Sequence, residues 1–258
     1  MRSKTVTLSA VGSLSLGAVV GIGALADAQA TTPTPGPSAS VCDQPLPTGS
    51  EPYTIDSANF VAAVDNAYWK MRPGTVWVYR ETNAAGEKSR VRVEVLSRTK
   101  SILGIDATVV HDTVSSGGEL VENTFDWYGQ DVCDNIWYLG ENTREYENGH
   151  VVSREGSWEA GVDGALAGVA LPGDPQPGLN YRQEYYQGQA EDAGRVLSID
   201  EQVRVELGHY ENVLMTRDTT PLEPRVQEYK FYAPGVGPVL SLTVSGGSDR
   251  EELIAKHR

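Results

Sequence analysis

The sequence predicts an all-β, mainly antiparallel protein, a meander that closes into a barrel or folds into a two-sheet sandwich, with one short helix near its amino terminus. Three observations predict it. Val91, Val93 and Val95 alternate with Arg90, Arg92 and Glu94, the period-two pattern of a strand buried on one face. Two aromatic-rich runs, ENTFDWYGQ and NIWYLGE, flank the turn DVCDN. Turn signals recur along the chain, and Asn148-Gly149 is the strongest hairpin signal among them. About 10–12 strands in such an arrangement curl into a barrel or split into two packed sheets.

Taken in order, Ile55 to Trp69 places Phe60, Val61, Val64 and Tyr68 at helical spacing, with Ser57 as a cap and Pro73-Gly74 as a stop. TVWVYRET then opens the sheet, and NAAGE turns it into the Val91–Val95 strand. IDATVVHDTV follows, and Ser116-Gly117-Gly118 leads into the central aromatic run. In that run Val121, Phe125 and Trp127 fall on one face, and Glu122, Thr124, Asp126 and Tyr128 on the other. TREYE and HVVSREGSW form the next hairpin. Glu159 to Pro177 is rich in Gly and Pro and reads as a long loop. Strand patterning returns from Tyr181 to Val205, and HYENVLMTR, VQEYKFYAP and VGPVLSLTVSGG finish the sheet.

The amino terminus concerns compartment rather than fold. Arg2 and Lys4 precede an apolar, small-residue run from Val6 to Ala26, which ends on Ala28-Gln29-Ala30. That is the pattern of a cleaved secretory signal peptide over residues 1–30. A Pro/Ser/Thr-rich linker occupies 31–51, and one β-rich domain occupies 52–258. Cys42 lies too far beyond the cleavage site for a lipid-anchored form. No second apolar run is long enough to span a bilayer, so the expected location is secreted, outside the cell. In that compartment the two cysteines, Cys42 and Cys133, are expected to form a disulfide worth ~4 kcal/mol. Losing Arg2, Lys4 and Asp27 with the leader takes the formal charge from −14 to −15. This balance opposes nucleic acid and anionic lipid as partners and suits cationic ones.

Motifs for familiar chemistries are missing. There is no H-E-x-x-H, no P-loop, no paired C-x-x-C and no G-x-S-x-G, and no cofactor or metal is expected. What the chain offers is acids beside aromatics. Asp126, Tyr128, Arg182, Glu184 and Tyr186 are the candidate lining of a sheet concavity or barrel mouth. His111 is the one histidine placed to matter. Arg182 could clamp a ligand carboxylate or pair with a neighbouring acid. Two carboxylates facing each other at ~5 Å or ~6.5–9.5 Å would serve glycoside hydrolysis. Trp127, Trp137, Trp158, Tyr185 and Tyr186 would then be a stacking platform for sugar.

The phrases FDWYGQD, NIWYLGE, EYENG, GSWEAGVDGA, YRQEYYQGQAEDAG, TTPLEP and KFYAPGVG resemble those of a group of uncharacterised exported proteins from actinobacteria and other bacteria. The resemblance runs from Asn66-Ala67-Tyr68 to Gly247. It implies a shared exported β-rich fold and no particular activity. Cys133 stands where that group carries an ordinary polar residue or Gly, so the resemblance does not imply the disulfide. Three functions stay open at this point. The first is binding of a small molecule, glycan or cell-envelope component; the second is a carbohydrate-active hydrolase or lyase; the third is a structural role without a small ligand.

Overall fold

Strands pair almost entirely with their neighbours in sequence, and the last returns to the first long one. The computed structural model describes residues 41–258; the leader and the first part of the linker lie outside them. Its strands are β1 (Phe60–Val61), β2 (Val76–Thr82), β3 (Lys88–Ile102), β4 (Ile105–Ser116), β5 (Glu119–Asp131), β6 (Ile136–Asn142), β7 (Glu145–Glu147), β8 (His150–Ser153) and β9 (Trp158–Glu159). There follow β10 (Leu166–Leu171), β11 (Asn180–Arg182), β12 (Glu184–Tyr185), β13 (Ala193–Val205), β14 (Gly208–Thr219), β15 (Gln227–Ala233), β16 (Gly237–Ser245) and β17 (Arg250–His257).

Antiparallel pairing runs from β2 through β3, β4, β5 and β6 to β10. Residues 180–185 carry it onward, because β12 pairs with β10 and β11 with β13. From β13 it continues through β14, β15, β16 and β17 back to β2. The expected all-β meander is therefore a nearly closed, barrel-like sheet of thirteen strands. Register shifts in β3, β13 and β17 are the bulges that let long strands bend around the ring. Closure removes the exposed edges an open sheet would present.

Alternation assigns the faces. Val110, Asp112, Asp126 and Tyr128 point into the barrel, while Val109, Phe125 and Trp127 line a groove outside it. The predicted hairpin turn is present at Asn148 (φ 51°) and Gly149 (φ 76°), joining β7 to β8. One apolar cluster binds the walls, including Val95, Val110, Leu214 and Leu253, to Val64 and Met71 of the amino-terminal segment. Cys42 and Cys133 are bonded, tying the start of the described chain to the β5–β6 turn 91 residues away. No helix among the described residues is long and apolar enough to cross a membrane.

Three expectations are corrected. The helix expected over Ile55–Trp69 is a single 3-10 turn, Ser57–Asn59, capped by Asp56, whose side chain accepts the N–H of Ala58, rather than by Ser57. Phe60 and Val61 instead extend along the end of β5, and Gln130 Oε1 accepts the backbone N–H groups of Asp65 and Asn66, each at 2.8 Å. Nucleating so short a helix is costly, and here a sheet edge and a buried amide meet the same backbone groups.

The loop expected over Glu159–Pro177 contains the buried strand β10. Gly168 permits it, since a Cβ there would collide with the carbonyl oxygens of Arg182 and Gln183. Lastly, the sheet does not finish at VGPVLSLTVSGG but continues into β17, which closes the ring. The inward-facing Glu251 hides its alternation from a hydrophobic pattern. Part of the presumed linker is also docked, as Pro47 is buried and its carbonyl accepts from Arg182 N.

Candidate functional site

Inside the barrel lies a cavity of about 110 Å³. Aromatic walls come from Trp77 and Tyr79 on β2, Tyr128 on β5, Tyr138 on β6 and Tyr232 on β15. Trp69, from the segment before β2, packs on both Tyr128 (5.3 Å between ring centroids) and Tyr232 (6.0 Å). It thus bridges two walls that are distant in the ring of strands. Tyr128 stacks on Tyr138 at 5.0 Å.

Six acids face the same space: Asp112, Asp126, Glu184, Asp192, Glu228 and Glu251. Among the described residues that line it, Lys230 is the one basic side chain. Lys230 is committed to Asp218 Oδ2 at 2.8 Å and lies 3.9 Å from Glu228 Oε2. Asp218 is further held by Thr216 Oγ1 (3.0 Å) and Gln183 Nε2 (3.1 Å). Tyr138 donates its hydroxyl to Asp126 Oδ1 at 2.7 Å, and Trp158 donates its indole N–H to Glu184 Oε2 at 2.8 Å.

Enclosure changes the chemistry of these acids. Burial disfavours the charged form, and neighbouring carboxylates disfavour it further. Burial pushes Asp126 up to about 7, against the opposing hydrogen bond from Tyr138. Glu251 is pushed up to about 8 by burial and by Glu81 beside it. Asp192 reaches about 6, burial outweighing the nearby charge of Lys230. Glu184 is raised well above the ordinary carboxylate range by burial and by Asp192. Burial works against the Lys230 ammonium, but Asp218 and Glu228 more than offset it and raise its pKa.

Four residues that line the cavity each carry a buried polar atom without a hydrogen-bond partner: Glu184 Oε1, Asp112 Oδ1, Asp192 Oδ1 and Trp69 Nε1. Glu184 is only 1% exposed. Buried polar groups are ordinarily satisfied, so a set of orphans around one cavity points to an occupant. Among the described residues, no group of three or more His, Cys, Asp or Glu side chains has the arrangement to hold a metal ion.

The residues singled out from the sequence separate into different places. Asp126, Tyr128 and Glu184 line the cavity. Arg182 is buried elsewhere, with its guanidinium donating to the carbonyls of Ala167, Gly49 and Glu51. It fastens the amino-terminal segment to the wall and faces no ligand space. His111 lies on the outer surface, stacked on Phe125 at 4.4 Å and bonded to Asn123 Oδ1 at 2.6 Å. Tyr186 lines the outer groove. Lys230, Glu251 and Trp69 were not anticipated. The shared parity of Glu228, Lys230 and Tyr232 in VQEYKFYAP was the available signal.

The outer groove, about 590 Å³, is lined by Phe125, Trp127, Trp158 and Tyr186. Two of these aromatic faces are already covered. Lys100 Nζ sits 3.3 Å from the centroid of the Trp127 ring while pairing with Glu159 at 2.6 Å, and Arg98 lies 5.1 Å over Phe125. Trp137 is elsewhere again, bonded to Asp131 and packed against Tyr53. The aromatic platform imagined for a sugar therefore does not share a cavity with Asp126 and Glu184.

No family model matches the chain, and no curated protein matches it. Among solved structures, a putative lipoprotein from Parabacteroides distasonis ATCC 8503 is similar over 74% of this chain and 99% of its own, at 11% sequence identity and a TM-score of 0.41.

Proposed function

We propose that the protein is exported and binds a small molecule inside its barrel. The observation that carries this reading is the interior cavity itself, which has aromatic walls and a few convergent polar atoms without partners. Ligand sites characteristically combine an apolar lining with a small number of placed polar groups. The disulfide supports export, because such bonds persist in oxidising compartments. The leader pattern and the resemblance to exported bacterial proteins point the same way. Against a hydrolase acting on glycans stand the cavity's size, far below the ~300–1,000 Å³ of drug-sized sites, and the position of Trp127 and Trp158 in the outer groove rather than in the cavity lining.

The test is to purify the protein from its own host and identify what leaves with it on denaturation, by mass spectrometry. Ala170→Phe, which places a ring in the cavity from β10, is purified in parallel. The reading expects a molecule stoichiometric with the wild type and absent from the folded Ala170→Phe variant. The same molecule at the same occupancy in both would overturn it.

A further inference from the structure

We infer that the ligand of the barrel cavity is a small organic cation, a protonated amine that also carries a hydrogen-bond acceptor. This rests on the interior-cavity reading above and adds the chemical class. Three of the four unpartnered atoms on the cavity are carboxylate oxygens, Glu184 Oε1, Asp112 Oδ1 and Asp192 Oδ1. In their ionised form such oxygens only accept, and an ammonium group offers three donors while favouring that form. The fourth, Trp69 Nε1, is a donor and asks for one acceptor on the same ligand.

Charge argues in the same direction. Six acids meet one lysine, and that lysine already serves Asp218 and Glu228. Burial and mutual repulsion favour the protonated acids in an empty cavity, and a bound cation would reverse that by stabilising their ionised form. The aromatic faces of Trp69, Tyr128 and Tyr232 add cation–π attraction in a desolvated space. A hard metal ion would need several oxygens converging at short range, and the described residues provide no such group. The volume of about 110 Å³ limits the amine to a few heavy atoms.

Ethanolamine is a suitable probe, with ethylene glycol as its neutral isostere. Calorimetric titration of the full-length mature protein at pH 7.5 is expected to show ethanolamine binding at least tenfold tighter than ethylene glycol. Glu184→Gln is expected to weaken ethanolamine at least tenfold, and Asp192→Asn, which is less enclosed, provides the same comparison if Glu184→Gln does not fold. Equal affinity for the two probes would overturn the cation class and leave an interior site standing. Failure of both probes to bind would overturn the cation class, while the host-purification experiment decides separately whether the cavity holds anything. Undiminished ethanolamine binding in both variants would place the amine elsewhere and overturn the assignment.

Discussion

Trp158 and Glu184 join the two sides of the barrel wall: the indole ring lines the outer groove, and its N–H reaches Glu184 Oε2 at 2.8 Å. The other oxygen of the same carboxylate has no partner, and Glu184 is part of the cavity lining. Because Trp158 is itself 5% exposed, water cannot easily replace its donor. Trp158→Phe should therefore lower the unfolding free energy by about 1–3 kcal/mol, the cost of leaving a buried acceptor without its donor. Urea denaturation measures it, and a change within about 0.5 kcal/mol would show the contact to be incidental.

Stability should fall as pH rises across neutrality. Glu122 and Asp126 are pushed up to about 7 and Glu251 to about 8, in each case first by burial, whereas unfolded carboxyls titrate near 4. Between those limits the folded chain holds protons that the unfolded chain releases. The stabilisation is then complete below about pH 4 and lost as pH climbs through 7 to 8. A thermal melt should give a higher Tm at pH 5 than at pH 8.5, and Asp126→Asn should flatten the difference. A Tm that rises over this interval would contradict the placement of these acids.

The disulfide should contribute heavily. Its 91-residue span corresponds to about 4–5 kcal/mol in the chain-entropy model. Cys42→Ser with Cys133→Ser should lower the denaturant midpoint by a matching amount without changing the β-rich circular dichroism spectrum. Loss of less than about 1 kcal/mol would mean that the unfolded chain is already constrained around the β5–β6 turn.

Gly168→Ala is expected to be far more damaging than a surface glycine change. The added methyl would meet the backbone oxygens of Arg182 and Gln183, which cannot move without opening the junction where 180–185 passes between β10 and β13. A cost above about 3 kcal/mol, or insoluble expression, is the expected outcome. Gly86→Ala, with open space around it and only a positive φ to strain, should cost only about 1 kcal/mol.

Much of the wall was legible in the sequence because its faces differ in chemistry. Asp126 and Trp127 do point to opposite sides, as period-two spacing requires. The interior, however, sets acids and a lysine among its aromatics, and this defeats patterns that equate inward with apolar. Glu251 and Lys230 face inward, so the strand pattern of β17 went unread and Lys230 was not singled out. Arg182 misled for the opposite reason. An arginine beside acids suggested ligand recognition, but its partners are carbonyls of residues 49, 51 and 167, a relationship set by tertiary docking. The 55–69 helix failed because Gln130, distant in sequence, satisfies the backbone of Asp65 and Asn66.

The most direct measurement is a crystal structure of the host-purified protein at a resolution that distinguishes a small organic molecule from water. The account predicts continuous density inside the barrel, within hydrogen-bond reach of Glu184 Oε1 and of Trp69 Nε1. Carboxyl groups bonded to one another, with only isolated waters between them, would contradict it.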